Sequence, residues 1–185
     1  KIKQKPTVAW YPDVFIGEWA KITNLFSGLL GELAERIYLA LPWSKFIALS
    51  NSTKQKLIAH KVNPGNIETI YAGVEKIFFR NNVEKGKIFT ISSVARLVKY
   101  KRIDLLIEAA RRLHEDKIRF NLLIIGDGPE YWDLIKKISD YKLGGIVKIL
   151  RNVPREVVLK TIKRSDLFVL PSEQEGFGLV VIEAA

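Results

Sequence analysis

The feature that most constrains this chain is the alternation of two hydrophobic periods between residues 88 and 170. Residues 88–92, 120–125, 146–150 and 167–170 are short apolar runs of strand length. Between them, Ile103, Leu106, Ile107, Ala110 and Leu113 recur at helical spacing, as do Tyr131, Leu134, Ile135 and Ile138, and Pro154 opens a third helical stretch that ends near Arg164. Strands that alternate with helices, with no connection short enough for a hairpin, predict a parallel sheet covered on both faces. In such a sheet a ligand sits beyond the carboxyl ends of the strands, where the strand order reverses. Every polar cluster of this half follows a strand: Arg96 to Arg102, Gly126 to Glu130, Arg151-Asn152, and Ser172 to Leu179.

The first half is less regular. A strand is predicted at 7–11, ended by Pro12, and a helix where Phe26, Leu29, Leu30, Leu33, Ile37 and Leu41 fall at three- and four-residue spacing, stopped by Pro42. A strand at 46–49 leads to a helix capped by Ser50 or Ser52 and running to His60. Asn63-Pro64-Gly65-Asn66 is a turn, and 67–71 another strand. Residues 81–87 are polar and aperiodic. The chain therefore divides into residues 1–74, a linker at 75–85, and residues 86–185, an α/β fold with a Rossmann-like parallel sheet and flanking helices.

A hydrophobic content of 48% supports a substantial core. The chain has no cysteine, which excludes a disulfide scaffold and a thiolate metal site. No apolar run approaches the roughly 18 residues that span a bilayer. Methionine is absent even at position 1, and the chain stops at Glu183-Ala184-Ala185 inside a helical pattern, so a piece of a longer polypeptide is expected. The net charge is +10, with 12 Lys and Arg against 7 Asp and Glu in residues 1–85 and 18 against 13 in residues 86–185, so +5 in each part. An excess spread so evenly argues against a nucleic-acid arm and is compatible with anionic substrates or an anionic membrane surface.

The last strand, the turn Ser172-Glu173-Gln174-Glu175-Gly176-Phe177-Gly178-Leu179 and the helix start beyond it form a pattern that binds anions, because the first N–H groups of a helix and its dipole face whatever lies above the strand. Gly176 and Gly178 permit close approach to the backbone. The carboxylates Glu175 and Glu183 suit a ligand that carries hydroxyls besides phosphate, as a sugar nucleotide does. Arg96 and Lys101 are a planar fork and a compact charge that suit a diphosphate. By spacing alone, however, Glu175 and Glu183 read as solvated surface, and Arg96 and Lys101 fit a solvated charge run equally well. Gly126-Asp127-Gly128-Pro129-Glu130 misses the dinucleotide fingerprint, since Tyr131 stands where the third glycine belongs. A tight strand-to-helix turn with Pro129 at the first helical position accounts for it. His60 and His114 fall near helix ends, without the company a metal site needs.

Ser93-Val94-Ala95-Arg96-Leu97 with Lys101, the stretch Gly126 to Glu130, and Pro171-Ser172 through Glu175 to Glu183 together resemble the retaining glycosyltransferases of family four, which have the GT-B fold. Ala48-Leu49-Ser50 and Ile70-Tyr71-Ala72-Gly73-Val74 resemble that family's interdomain region, so the resemblance runs through nearly the whole chain in order. It departs at position 102, Arg where glycine is frequent, and at position 72, Ala where Asn is frequent.

The resemblance implies two Rossmann-like domains: residues 1–74 as the tail of the acceptor-side domain and 86–185 as most of the donor-binding C-terminal domain. It implies catalytic roles for Arg96, Lys101 and Glu175, the two cations holding the diphosphate and stabilising the leaving group. Glu175 and the N–H groups of Gly176, Phe177, Gly178 and Leu179 would contact the donor sugar and phosphate, Glu183 the ribose, and the backbone near Arg151-Asn152 the base. It further implies hexosyl transfer with retention from a nucleotide-diphosphate sugar to a glycan or lipid acceptor in polysaccharide, glycolipid or cell-envelope glycan synthesis. No metal and no cofactor are expected, and no nucleic-acid partner. The expected setting is cytoplasmic, with peripheral attachment to the inner face of a membrane, and the chain alone is expected to be inactive. The alternative is a non-catalytic relic that binds nucleotides or a partner protein, against which the retained Arg96, Lys101, Glu175 and Glu183 count.

Overall fold

The computed structural model describes residues 5–75 and 83–185. Most of the expected linker at 75–85 lies outside the described residues. The chain forms two compact units, one of residues 1–73 with 175–178 and one of residues 74–174 with 179–185.

The first unit contains β1 (Val8–Tyr11), α1 (Trp19–Ile22), α2 (Leu25–Ala40), β2 (Lys45–Ala48), α3 (Asn51–Ala59) and β3 (Ile67–Thr69). The three strands are parallel in the order β1-β2-β3, with Ala9 opposite Phe46 and Phe46 opposite Ile67. Alternate residues of β1 and β2 turn Ala9, Tyr11, Phe46 and Ala48 into a core shared with Leu57, Val62 and Ile67. Ser50 caps α3 by accepting from Thr53 N, and Asn24 caps α2 by accepting from Ser27 N.

The apolar spacing marks α2 as a helix, but its stripe does not face the sheet. Leu25, Phe26, Leu29, Leu30, Leu33, Ile37 and Leu41 are all exposed, Phe26 by 73%. The buried positions of α2 are Gly28 and Glu35. A Cβ on Gly28 would lie 2.7 Å from Ala20 Cα, so the glycine lets α1 lie directly on α2. Glu35 accepts from the Tyr11 hydroxyl at 2.6 Å, Trp19 Nε1 at 2.6 Å and Phe15 N at 3.1 Å. Burial and that carboxylate push the Tyr11 hydroxyl well above its usual range.

The second unit contains β4 (Phe89–Val94), α4 (Ile103–Glu115), β5 (Phe120–Ile125), α5 (Tyr131–Asp140), β6 (Val147–Leu150), α6 (Arg155–Arg164), β7 (Leu167–Phe168) and α7 (Leu179–Ala184). All four strands are parallel, in the order β6-β5-β4-β7. Ile107, Leu122, Ile124 and Leu143 are fully buried at its centre, with Ile103, Leu106, Ala110, Leu134, Ile138 and Val147 around them. This is the Rossmann-like parallel sheet with flanking helices that the alternation predicts. β7 is shorter than the apolar run at 167–170, because its ladder pairing with β4 covers only Ile91–Leu167 and Ser92–Phe168. Among the described residues no helix is long and apolar enough to cross a membrane.

Candidate functional site

Register decides what the post-strand segments can do together. Val94 pairs with Ile125, and Ile125 with Leu150, so Ala95-Arg96, Gly126-Asp127 and Arg151-Asn152 leave the sheet at one edge. Phe168 pairs with Ser92, and Val169 N donates to Ser92 O at 2.9 Å, which brings the segment after β7 to the same edge. The chain moves from β4 outward to β5 and β6, then returns to place β7 on the other side of β4. The strand order reverses between β4 and β7, and the segments after these two strands flank the crevice where such sheets bind ligands.

Arg96 is seated by backbone contact. The Ala95-Arg96-Leu97 turn lies against Gly126 and Gly128: Leu97 N donates to Asp127 O at 2.9 Å, and Glu130 N donates to Leu97 O at 3.1 Å. A Cβ on Gly126 would fall 1.8 Å from Ala95 O, and one on Gly128, which has φ +158°, 2.3 Å from Leu97 O. The two glycines therefore serve the Arg96 turn, and this explains a motif that fails as a dinucleotide fingerprint. The Arg96 side chain is exposed and has no hydrogen-bond or ion-pair partner among the described residues. Lys101 follows in a short 3₁₀ turn, Lys99–Lys101, half-buried, with Nζ 5.1 Å from the centre of the Tyr100 ring.

The post-β6 segment is clamped from below. Arg151 forms a two-pronged pair with Asp127, Nε–Oδ1 2.9 Å and Nη2–Oδ2 3.0 Å, and its guanidinium lies 4.2 Å from the Tyr131 ring centre. The Arg151 hydrogen bond holds the Asp127 carboxyl below its usual range, helped by Gly128 N and the Asn152 side chain. Asn152 is left-handed (φ +50°) and its side chain contributes a weak bond to Asp127. Glu183, in α7, pairs at 3.4 Å with Arg155 of α6, which also pairs with Glu75 at 2.9 Å.

Arg96, Lys101, Asn152, Leu179 and Glu183 belong to the second unit, and Glu175, Gly176, Phe177 and Gly178 to the first. Within the first unit, a Cβ on Gly176 would meet Pro12 O at 2.3 Å, so packing alone demands glycine there, and the Phe177 ring lies 5.8 Å from that of Tyr71. Gly178 takes φ +69° immediately before α7.

The sequence profile of the family described as Glycosyl transferases group 1 matches residues 73–185. The chain belongs to that family. Among individual members, the chain is 30% identical over 142 residues to the gpi3 subunit of phosphatidylinositol N-acetylglucosaminyltransferase of Schizosaccharomyces pombe, covering 75% of this chain and 31% of that protein. Its fold is shared with WaaG, a glycosyltransferase involved in lipopolysaccharide biosynthesis (TM-score 0.80, 18% identity, 96% of this chain and 53% of that one). It is shared also with Anabaena HepE in complex with UDP-glucose (TM-score 0.79, 19% identity, 97% of this chain and 50% of that one). The chain spans about a third of the length of the first curated relatives it matches, 31% and 33%.

Several contacts of this group 1 glycosyltransferase segment are invisible to spacing. Asp127 and Arg151 are 24 residues apart and Arg102 and Glu173 are 71 apart. Only the parallel register brings these segments to one edge. The sequence signal is weaker: each charged residue lies in a segment that connects a strand to the next helix.

Proposed function

We propose that the chain carries the donor-binding part of a hexosyltransferase that uses a nucleotide-diphosphate sugar. The observation that carries this reading is Arg96, an exposed guanidinium without a partner among the described residues, presented by a backbone turn that two glycines seat beside the strand-order reversal. The turn is set before the ligand arrives, so only the side chain has to order on the developing charge. In the proposed reaction the bond between the anomeric carbon and the diphosphate breaks, Arg96 and Lys101 neutralise the departing phosphate, and the acceptor oxygen bonds to the anomeric carbon as its proton passes to the departing phosphate. Glu175 and the backbone of Gly176, Phe177, Gly178 and Leu179 would contact the sugar and phosphate, Glu183 the ribose and Asn152 the base through its backbone.

Retention of configuration belongs to the same proposal, supported by the resemblance of the segment from Pro171 to Glu183 to the retaining family. So does an acceptor glycan or lipid in polysaccharide, glycolipid or cell-envelope glycan synthesis, which accords with the lipopolysaccharide role of WaaG and the phosphatidylinositol acceptor of the gpi3 enzyme. A cytoplasmic setting at a membrane surface is supported by the +10 charge and the exposed apolar stripe of α2. The chemistry needs no metal in this account, since two cations already face the diphosphate. Because the chain spans a third of its relatives' length, the proposal assigns donor binding to these residues and turnover to a longer protein.

Calorimetric titration with UDP, GDP and ADP tests the proposal, UDP first because the HepE structures hold it or its glucose conjugate. One nucleotide should bind. Arg96→Ala and Lys101→Ala should each weaken it by ~1.5–3 kcal/mol, the range for a charge-assisted hydrogen bond. Flat titrations of a folded sample, or unchanged affinity in both variants, would overturn it.

A further inference from the structure

The segments after β4 and β7 are joined twice. Glu173 N donates to Tyr100 O at 2.9 Å, and the Arg102 guanidinium donates to the Glu173 carboxylate. The same guanidinium holds Asp104 through Nε–Oδ1 at 3.1 Å and Nη2–Oδ2 at 3.3 Å. All four residues lie in the second unit. Arg102 directly follows Lys101 and has φ +51° and ψ +37°, the left-handed region. Few residues other than glycine adopt that conformation, and glycine does so without steric cost. The backbone therefore favours glycine at 102, and the chain has arginine. The turn itself gains nothing from the exchange. What arginine adds is its side chain, and that side chain is wholly engaged with Asp104 and Glu173.

We propose that Arg102 and Glu173 are a positioning pair that ties the Lys101 turn to the segment after β7 and so sets the width of the crevice between them. The inference rests on the donor-site proposal for its consequence, but not for its geometry. A stabilising role does not account for the pair: the side chains are 30% and 59% exposed, a range in which ion pairs add little to stability. A fixed crevice matters for a diphosphate, because a small misplacement of a binding group costs far more than the group's exposure suggests.

The test uses R102G, which retains the left-handed backbone and deletes the side chain, and E173Q, which retains the shape and deletes the charge. Amide hydrogen exchange is read first, without nucleotide. In both variants the backbone amide at position 173 should exchange about tenfold faster than in the parent while the amides of β4 and β5 stay unchanged. Nucleotide titration follows. Both variants should bind the diphosphate about tenfold more weakly at an unchanged thermal midpoint, and R102K, which keeps the charge, should recover part of the loss. Unchanged exchange at Glu173 would overturn the tie itself. Faster exchange with full affinity would overturn the positioning role. A parent chain that binds no nucleotide would overturn the donor proposal and the role with it, while the exchange result would still decide whether the tie exists.

Discussion

Helices α2 and α4 have the same kind of sequence and opposite fates. Each carries large apolar residues at three- and four-residue spacing. In α4 the stripe is the core: Ile103, Leu106, Ile107 and Ala110 are between 0% and 6% exposed. In α2 the stripe points outward, the fully buried positions are a glycine and a carboxylate, and only Tyr38 and Leu39 near its end pack against the core. Period reveals that a helix has two unlike faces. It does not reveal which face the rest of the chain covers. In α2 that choice is made by close approach at Gly28, where Ala20 leaves no room for a side chain, and by Tyr11, Phe15 and Trp19, whose donors converge on Glu35.

The contrast can be broken most sharply by matched truncations. Ile107→Ala should cost ~2–5 kcal/mol of stability, since a fully buried side chain leaves a cavity. Leu33→Ser, on the outward stripe of α2, should stay within about 0.5 kcal/mol. Denaturant melts of the two variants check this, and equal losses would mean that the α2 stripe is covered after all. Next in size is Gly126→Ala. Its Cβ would collide with Ala95 O, so the variant should lose roughly 1–3 kcal/mol and displace the Arg96 turn, read as weakened nucleotide binding. Glu35→Leu tests the polar interior of α2. It leaves the Tyr11, Trp19 and Phe15 donors without their acceptor, at about 1–3 kcal/mol for each donor that stays buried. A neutral result would show that water replaces the carboxylate there.

These same residues show how far sequence reading reaches. The four parallel strands of the second unit are legible because strands buried on both faces read as near-continuous apolar runs, though β4 also buries Ser92 and Ser93. The edge where Arg96, Asp127 and Arg151 emerge follows from that inference alone, since parallel strands all end on one side. Their partners do not follow. The Asp127–Arg151 fork, the Arg102–Glu173 pair and the Arg155–Glu183 pair depend on a register that spacing cannot supply. In the first unit, α1 is only four residues long, too short to show a period, and Glu35 looks like an ordinary solvated glutamate. The glycines of Gly126-Asp127-Gly128 were legible as a turn, but their reason, backbone contact with residues 95–97, is tertiary.

The smallest effect separates the outward faces of the two helices. That of α4 is bound to its neighbours by charge: Glu108 accepts from the Tyr141 hydroxyl at 2.6 Å and pairs with Arg111 at 2.7 Å. The Tyr141 and Arg111 bonds hold the Glu108 carboxyl down at about 2, against a usual 4.5. On the outward face of α2, Arg36 pairs with Glu32 at 2.7 Å, which also lowers the Glu32 carboxyl. Both groups have folded pKa values below their unfolded ones. In the interval between, the unfolded chain binds more protons, so stability rises with pH there and is lost as pH falls. For Glu108 the loss begins below about 4.5 and is complete near 2. Thermal midpoints measured across that acid range should therefore fall less steeply in Glu108→Gln than in the parent. Glu32→Gln should flatten the slope less, since an exposed pair one turn apart is weakly coupled. Equal slopes in parent and Glu108→Gln would mean that the bonds from Tyr141 and Arg111 do not persist in solution, and that the outer faces of α2 and α4 differ in composition alone.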